Sequence, residues 1–152
     1  MNYYDVEQYR AATLECVLDS AVRYQTPADV LLAIGQYEAG QDGSAIPNAN
    51  GTYDLGRAGI NTIHLQELAR YGVSPQTAIH YLRYDGCYNY AMAAYLLRQQ
   101  LVQCSQAYWT CVANYHSHTA RFNEAYQKRI IPLARQWAAY LREHYRVKGY
   151  EP

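Results

Sequence analysis

The apolar positions of this chain recur with the 3.6-residue period of helices almost from end to end. Leu14, Val17, Leu18, Ala21 and Tyr24 share one side of an opening helix that also carries Cys16. A second helix is predicted from Thr26 as N-cap and Pro27 at the first helical position to a stop at Gly40. Its apolar stripe is Val30, Leu31 and Ile34. Between Gly40 and about Ile60 the periodicity fails, and Gln41-Asp42-Gly43-Ser44 and Asn48-Ala49-Asn50-Gly51 supply turn chemistry. A long ordered loop or a small β-hairpin is expected there, and loops of that length in compact domains are usually functional. Helices resume over Thr62–Tyr71 and, behind a Ser74 cap, over Pro75–Arg83, before Asp85-Gly86-Cys87 interrupts the pattern. Tyr90–Val102 reads as a central packed helix, followed by helices over about Tyr108–Tyr115 and Arg121–Tyr145. Pro132 should break or kink the last one unless it lies near an end. The expected fold class is mainly α, in one domain spanning 1–152.

Within this pattern Glu38 is out of place. It follows Leu31 and Ile34 by seven and four positions, which turns its carboxylate towards the core. It also sits in the last turn, where the helix dipole opposes a further negative charge. Burial and dipole both raise a carboxyl pKa, and a carboxyl group that keeps its proton near neutral pH can serve as a general acid. The plainer alternative is a helix-ending glutamate that bends out to water.

The 13 basic and 13 acidic residues cancel, which argues against a nucleic-acid or membrane binder driven by bulk charge. No stretch approaches the roughly 18 apolar residues of a membrane span. Eighteen tyrosines against one Phe and two Trp give amphipathic rings suited to walls that contact sugars or proteins. Cys16, Cys87, Cys104 and Cys111 form no Cys-x-x-Cys pair, so a structural zinc site is not expected. Their even number points to two disulfides and an oxidising compartment, with a leader removed ahead of Tyr3-Tyr4-Asp5; the rival is a cytosolic chain with four free thiols. On one unbroken helix Cys104 and Cys111 would stand roughly 10 Å apart, too far for a bond. A turn at Ser105-Gln106 would bring them together, leaving Cys16 to pair with Cys87.

The motifs that follow are shared with a known family. Ala33-Ile34-Gly35-Gln36-Tyr37-Glu38-Ala39-Gly40 matches a family pattern Ala-Ile-x-x-x-Glu-Ser-Gly except at the serine. Tyr53-Asp54-Leu55-Gly56-Arg57-Ala58-Gly59-Ile60-Asn61 keeps the frame of Tyr-Asp-x-Gly-Leu-Met-Gln-Ile-Asn without its centre. Asp85-Gly86-Cys87-Tyr88-Asn89 matches Asp-x-Cys-x-Asn, and Trp109 to His116 matches Trp-x-x-Val-x-x-Tyr-Asn with histidine for asparagine. Tyr126 to Ile130 resembles a later Tyr-x-x-x-Val. Over about 16–137 the chain resembles the soluble lytic transglycosylases of the goose-lysozyme-like superfamily, in particular the small ones that accompany conjugation, type IV secretion and pilus systems.

That resemblance implies a lysozyme-like helical domain and cleavage of the MurNAc-β-1,4-GlcNAc bond of peptidoglycan to a 1,6-anhydro product, with no cofactor and no metal. Glu38 would be the single acid/base, with Tyr115 and Tyr126 lining the cleft and orienting it. His116, Gly59, Asn61, Ala39 and Arg57 would be substrate-contacting positions. The pairing of Cys87 with Cys16 gains support from the same motifs. Ala39, Gly59 and His116 each replace a polar group that the family has there, which leaves open a weak or inactive wall-binding protein. His116 could donate to the substrate's N-acetyl carbonyl or be an ordinary exposed histidine; Arg57 could meet a stem-peptide carboxylate. Asp54 and Asp42 are the nearest candidates for a second carboxylate, though Asp54 is expected to shape its loop, and His116-x-His118 is too weak a pattern for a metal site. The implied partners are glycan strands and secretion or pilus machinery, with the chain monomeric, periplasmic or secreted.

Overall fold

A computed structural model describes residues 9–145; expectations about the start of the chain and the outer ends of the 1–152 domain fall outside the described residues. In chain order the elements are α1 (Leu14–Tyr24), α2 (Ala28–Glu38), β1 (Ala45–Pro47), β2 (Tyr53–Leu55), β3 (Ile60–Asn61), a 3₁₀ turn (Thr62–His64), α3 (Leu65–Arg70), α4 (Pro75–Tyr84), α5 (Gly86–Gln103), α6 (Tyr108–Ala113) and α7 (Ala120–His144). This is the expected mainly helical, lysozyme-like architecture, with a three-stranded antiparallel sheet ordered β1-β2-β3 where a loop or hairpin was foreseen. No described helix is long and apolar enough to cross a membrane.

α2 is the axis of the molecule. Every residue from Ala28 to Ile34 except Asp29 is a buried apolar one, with Gly35 also buried, so the helix has no solvent side until Gln36. One of its sides packs with Leu97, Val112, Tyr126 and Ile130; the other, through Leu31 and Leu32, joins α1, α5 and the sheet. A helix apolar all round belongs in the interior, a role the sequence pattern had assigned to α5.

The ends of α2 differ by one residue from the sequence reading. α1 stops at Gln25 in the left-handed conformation (φ 54°), which carries the Thr26 N–H onto the Ala21 carbonyl at 2.9 Å. Thr26 thereby belongs to the end of α1, and Pro27, extended at φ −68° and ψ 122°, is the N-cap. The Asp29 carboxylate accepts the Val30 N–H at 2.9 Å and meets one of the donors that Thr26 leaves open. At the other end Ala39, not Gly40, takes the left-handed conformation (φ 48°). Gly40 is needed for contact instead: a Cβ there would run into the Gly56 carbonyl.

Asp85-Gly86, which reads as a break, is a helix start. The Asp85 carboxylate accepts the Tyr88 N–H at 2.9 Å and also receives Arg10 Nε at 2.9 Å, so α5 begins at Gly86, earlier than the expected Tyr90. α7 runs unbroken through Pro132. Pro132 and Lys128, whose carbonyl the proline leaves without a donor, are both exposed, so water can satisfy that carbonyl. Cys16–Cys87 and Cys104–Cys111 are both closed, each with Cα atoms 5.6 Å apart. The turn between α5 and α6 is what brings the second pair together.

Asn89, fully buried on α5, ties the sheet to the helices. Its Nδ2 donates to the carbonyls of Leu55 (2.8 Å) and Leu82 (2.9 Å), and its Oδ1 accepts the Ala58 N–H at 2.7 Å. Asn89→Ala would strand three buried backbone groups, and we expect urea denaturation to show a loss of about 3 kcal/mol.

Candidate active site

Glu38 is the last residue of α2 and lies at the point where that buried helix reaches the surface. Its side chain is mostly covered, and burial first, then the charge of Asp54, raises its pKa from 4.5 to about 7. Roughly half of Glu38 is therefore protonated at neutral pH.

The sheet supplies one flank. Asp54 on β2 pairs with Ile46 of β1 and Asn61 of β3. Its Oδ1 accepts Asn48 Nδ2 and Asn61 Nδ2, each at 3.1 Å, which fixes the carboxylate in place. Asn61 is thus engaged within the sheet: Nδ2 also donates to Thr52 Oγ1 at 3.1 Å, and Oδ1 caps the 3₁₀ turn by accepting the Ile63 N–H at 3.0 Å. Gly59 lies between the two acids in the left-handed conformation (φ 62°). A Cβ built on it would stand 3.4 Å from Glu38 Oε2 and 3.8 Å from the Asp54 Cβ. The position where the family pattern has glutamine is here an open floor against Glu38.

α6 and α7 supply the phenols. Tyr115 and Tyr126 have strongly raised pKa values, in both cases through burial first and the charge of Glu38 second, so both hydroxyls are protonated and near the carboxyl group. Tyr126 is 1% exposed, and its hydroxyl is buried with no hydrogen-bond partner among the described residues. Its ring is clamped between Tyr37, edge-on at 5.0 Å, and His116, stacked at 4.7 Å with planes 4° apart. His116 is exposed, its pKa lowered by partial burial. Neither Tyr37 nor the direct effect of Asp54 on Glu38 was read from the sequence; no local pattern carries either contact.

No family model matches the chain. It is 30% identical to Protein IpgF of Shigella flexneri over 107 residues, covering 70% of this chain and 67% of that protein. The chain belongs to the IpgF family. The Invasion protein IagB of Salmonella typhi and that of Salmonella typhimurium strain LT2 are each 26% identical to this IpgF-family chain over 119 residues, covering 78% of it and 71% of IagB.

Two of the expected contact positions in this IpgF-family chain face elsewhere. Ala39 and Arg57 line a groove of about 800 Å³ on a different side of α2, together with Gln36, Tyr90, Trp137 and Tyr140. Trp137 Nε1 donates there to Gln36 Oε1 at 2.9 Å. Among the described residues no group of three or more His, Cys, Asp or Glu side chains could hold a metal ion.

The raised pKa of Glu38 has a consequence for stability. The folded chain holds this proton to about pH 7, the unfolded chain only to about 4.5. The folded state binds more protons between those values, so the contribution of Glu38 is complete below 4.5 and declines as pH rises through 7. From about pH 5 to about pH 8, unfolding free energy should fall on the order of 2 kcal/mol further in the natural protein than in Glu38→Gln, read by urea titration.

Proposed function

We propose that this IpgF-family protein is a peptidoglycan lytic transglycosylase acting through Glu38 alone. The observation that carries this reading is a mostly covered carboxyl group at the end of the buried helix α2, its pKa raised to about 7, between Asp54 of the sheet with Gly59 of the turn beside it and the buried Tyr115 and Tyr126 of the helical side.

In the first step Glu38 donates its proton to the glycosidic oxygen as the MurNAc C1–O bond breaks, and the substrate's N-acetyl group stabilises the cationic carbon. The ionised Glu38 then takes the proton of the muramyl 6-hydroxyl as that oxygen bonds to C1. The acid is restored, no water is consumed, and the 1,6-anhydro ring closes. A retaining or inverting hydrolase would need a second carboxylate in a working role. Asp54 is bound by two asparagine amides, and in this scheme it acts by raising the Glu38 pKa. Tyr115 and Tyr126 keep the surroundings of the carboxyl group dry, and the buried, unpaired Tyr126 hydroxyl is available to orient it.

The motif resemblance implies a place beside a secretion or pilus apparatus, opening the wall locally, and the relatives named as invasion proteins are compatible with it. The two disulfides fit an extracytoplasmic, periplasmic setting. A wall-binding protein without turnover is the second reading, favoured by Gly59, which stands against Glu38 and offers the sugar no side-chain hydrogen bond. Digestion of purified sacculi with mass spectrometry of the products separates these. Muropeptides ending in 1,6-anhydromuramic acid support the lyase, reducing ends would mean hydrolysis, and sacculi that bind protein but release nothing would mean the binder.

A further inference from the structure

On the far side of α5 from α2's glutamate end lies a second cavity, of about 440 Å³, that shares no lining residue with the Glu38 site. Its floor is apolar, with Leu68 and Met92 buried. Its walls are four tyrosines, Tyr24, Tyr71, Tyr88 and Tyr95. The Tyr95 ring stands edge-on to Tyr24 (6.1 Å, 80°) and to Tyr71 (6.3 Å, 89°), so the aromatic walls meet at right angles. The faces that these rings turn inward carry the negative part of the ring quadrupole and attract a cation, at little conformational cost.

One carboxylate completes the cavity. Glu67 Oε1 accepts the Tyr95 hydroxyl at 2.8 Å and Gln99 Nε2 at 3.0 Å, and these two bonds hold the Glu67 pKa below its usual value. Glu67 Oε2 accepts no hydrogen bond from any described residue. The neighbouring basic groups leave it open: Arg70 and His64 act on Glu67 only through space, and Arg23 lies over the Tyr24 ring at 5.6 Å. Arg23 is itself a lining residue, and its guanidinium is taken up by the Tyr24 ring, not by Glu67. The lining residue Tyr71 is 69% exposed, a large amphipathic ring at the mouth of the cavity of the kind enriched at protein contacts.

We propose that this cavity binds the side-chain ammonium of a lysine presented by a partner protein, its aliphatic stem on Leu68 and Met92, its charge among the tyrosines and against Glu67 Oε2. A single free carboxylate oxygen matches the point charge of lysine better than the two-pronged guanidinium of arginine. This inference does not depend on the reaction assigned to Glu38.

The test uses the full chain with ¹³C-labelled tyrosine, titrated with acetyl-Gly-Lys-Gly-amide and with its neutral norleucine counterpart. The lysine peptide should give saturable shifts of the Tyr71 and Tyr95 signals, with the norleucine peptide bound several-fold more weakly. Glu67→Gln should weaken the lysine peptide roughly tenfold, and Tyr71→Ala, at an exposed position, should do so without disturbing the fold. Equal binding of both peptides, no saturation at Tyr71 and Tyr95, or no effect of either substitution overturns the proposal. So does tighter binding of a diaminopimelate-containing stem tetrapeptide, which would give the cavity to the wall instead of a protein.

Discussion

Glu38→Gln is expected to lower release of 1,6-anhydromuropeptides from sacculi by roughly 10²–10⁴-fold, the usual weight of a positioned acid/base. An amide has the size of the carboxyl group but can neither give the glycosidic oxygen a proton nor take one from the 6-hydroxyl. Here one group performs both transfers, so the loss should lie towards the upper end of that range. The same substitution removes a charge that the end of α2 shelters poorly, so the variant should be folded and, above pH 7, more stable than the natural protein. A variant that is inactive because it is unfolded would fail that second part. Activity within about threefold of the natural protein would remove Glu38 from the chemistry.

Removing the Cys16–Cys87 bond by a double substitution to alanine should cost about 4 kcal/mol, against about 2 kcal/mol for Cys104–Cys111. The difference arises in the unfolded chain. The first bond closes a separation of 71 residues and the second only 7, so the first removes far more loop entropy. Its native role is also wider, since it fixes α1 to the start of α5, whereas the second only braces the turn into α6. Thermal unfolding of the two double variants, compared under oxidising conditions, reads the order directly. Equal losses would mean that residual structure in the unfolded chain, not loop length, sets the effect.

Helical periodicity located α1, α2 and α4 nearly to the residue, because each buries a side whose spacing the sequence displays. The position of Glu38 was legible for the same reason. Helix ends were less so: whether Thr26 or Pro27 caps α2 depends on how α1 ends one residue earlier, which is a matter of three-dimensional path. Asp85-Gly86 carries the same letters as a turn, and only the bonds from Arg10 and to Tyr88 make it a cap. The disulfides are legible from the even cysteine count and the turn site at Ser105-Gln106, which pairs Cys104 with Cys111 and leaves Cys16 for Cys87, as the motif resemblance also implies.

The surroundings of Glu38 were far less legible. Gly59 approaches it from the turn between β2 and β3, and Asp54 acts on it through space. Two tyrosines as alike in sequence as Tyr126 and Tyr71 end at 1% and 69% exposure, because burial depends on what packs against each ring. Arg57 sits in a site motif yet lines the groove beside Tyr90, a placement that depends on the three-dimensional path of the turn between β2 and β3.

The most direct test is a ¹³C NMR titration of the Glu38 carboxyl carbon in the natural protein, assigned by its loss in Glu38→Gln. A midpoint near 7, falling when Asp54→Asn removes the neighbouring charge, is the expected result. A midpoint at the ordinary value near 4.5, unmoved by Asp54→Asn, would show a solvated carboxylate with no proton to give and would contradict the acid/base role.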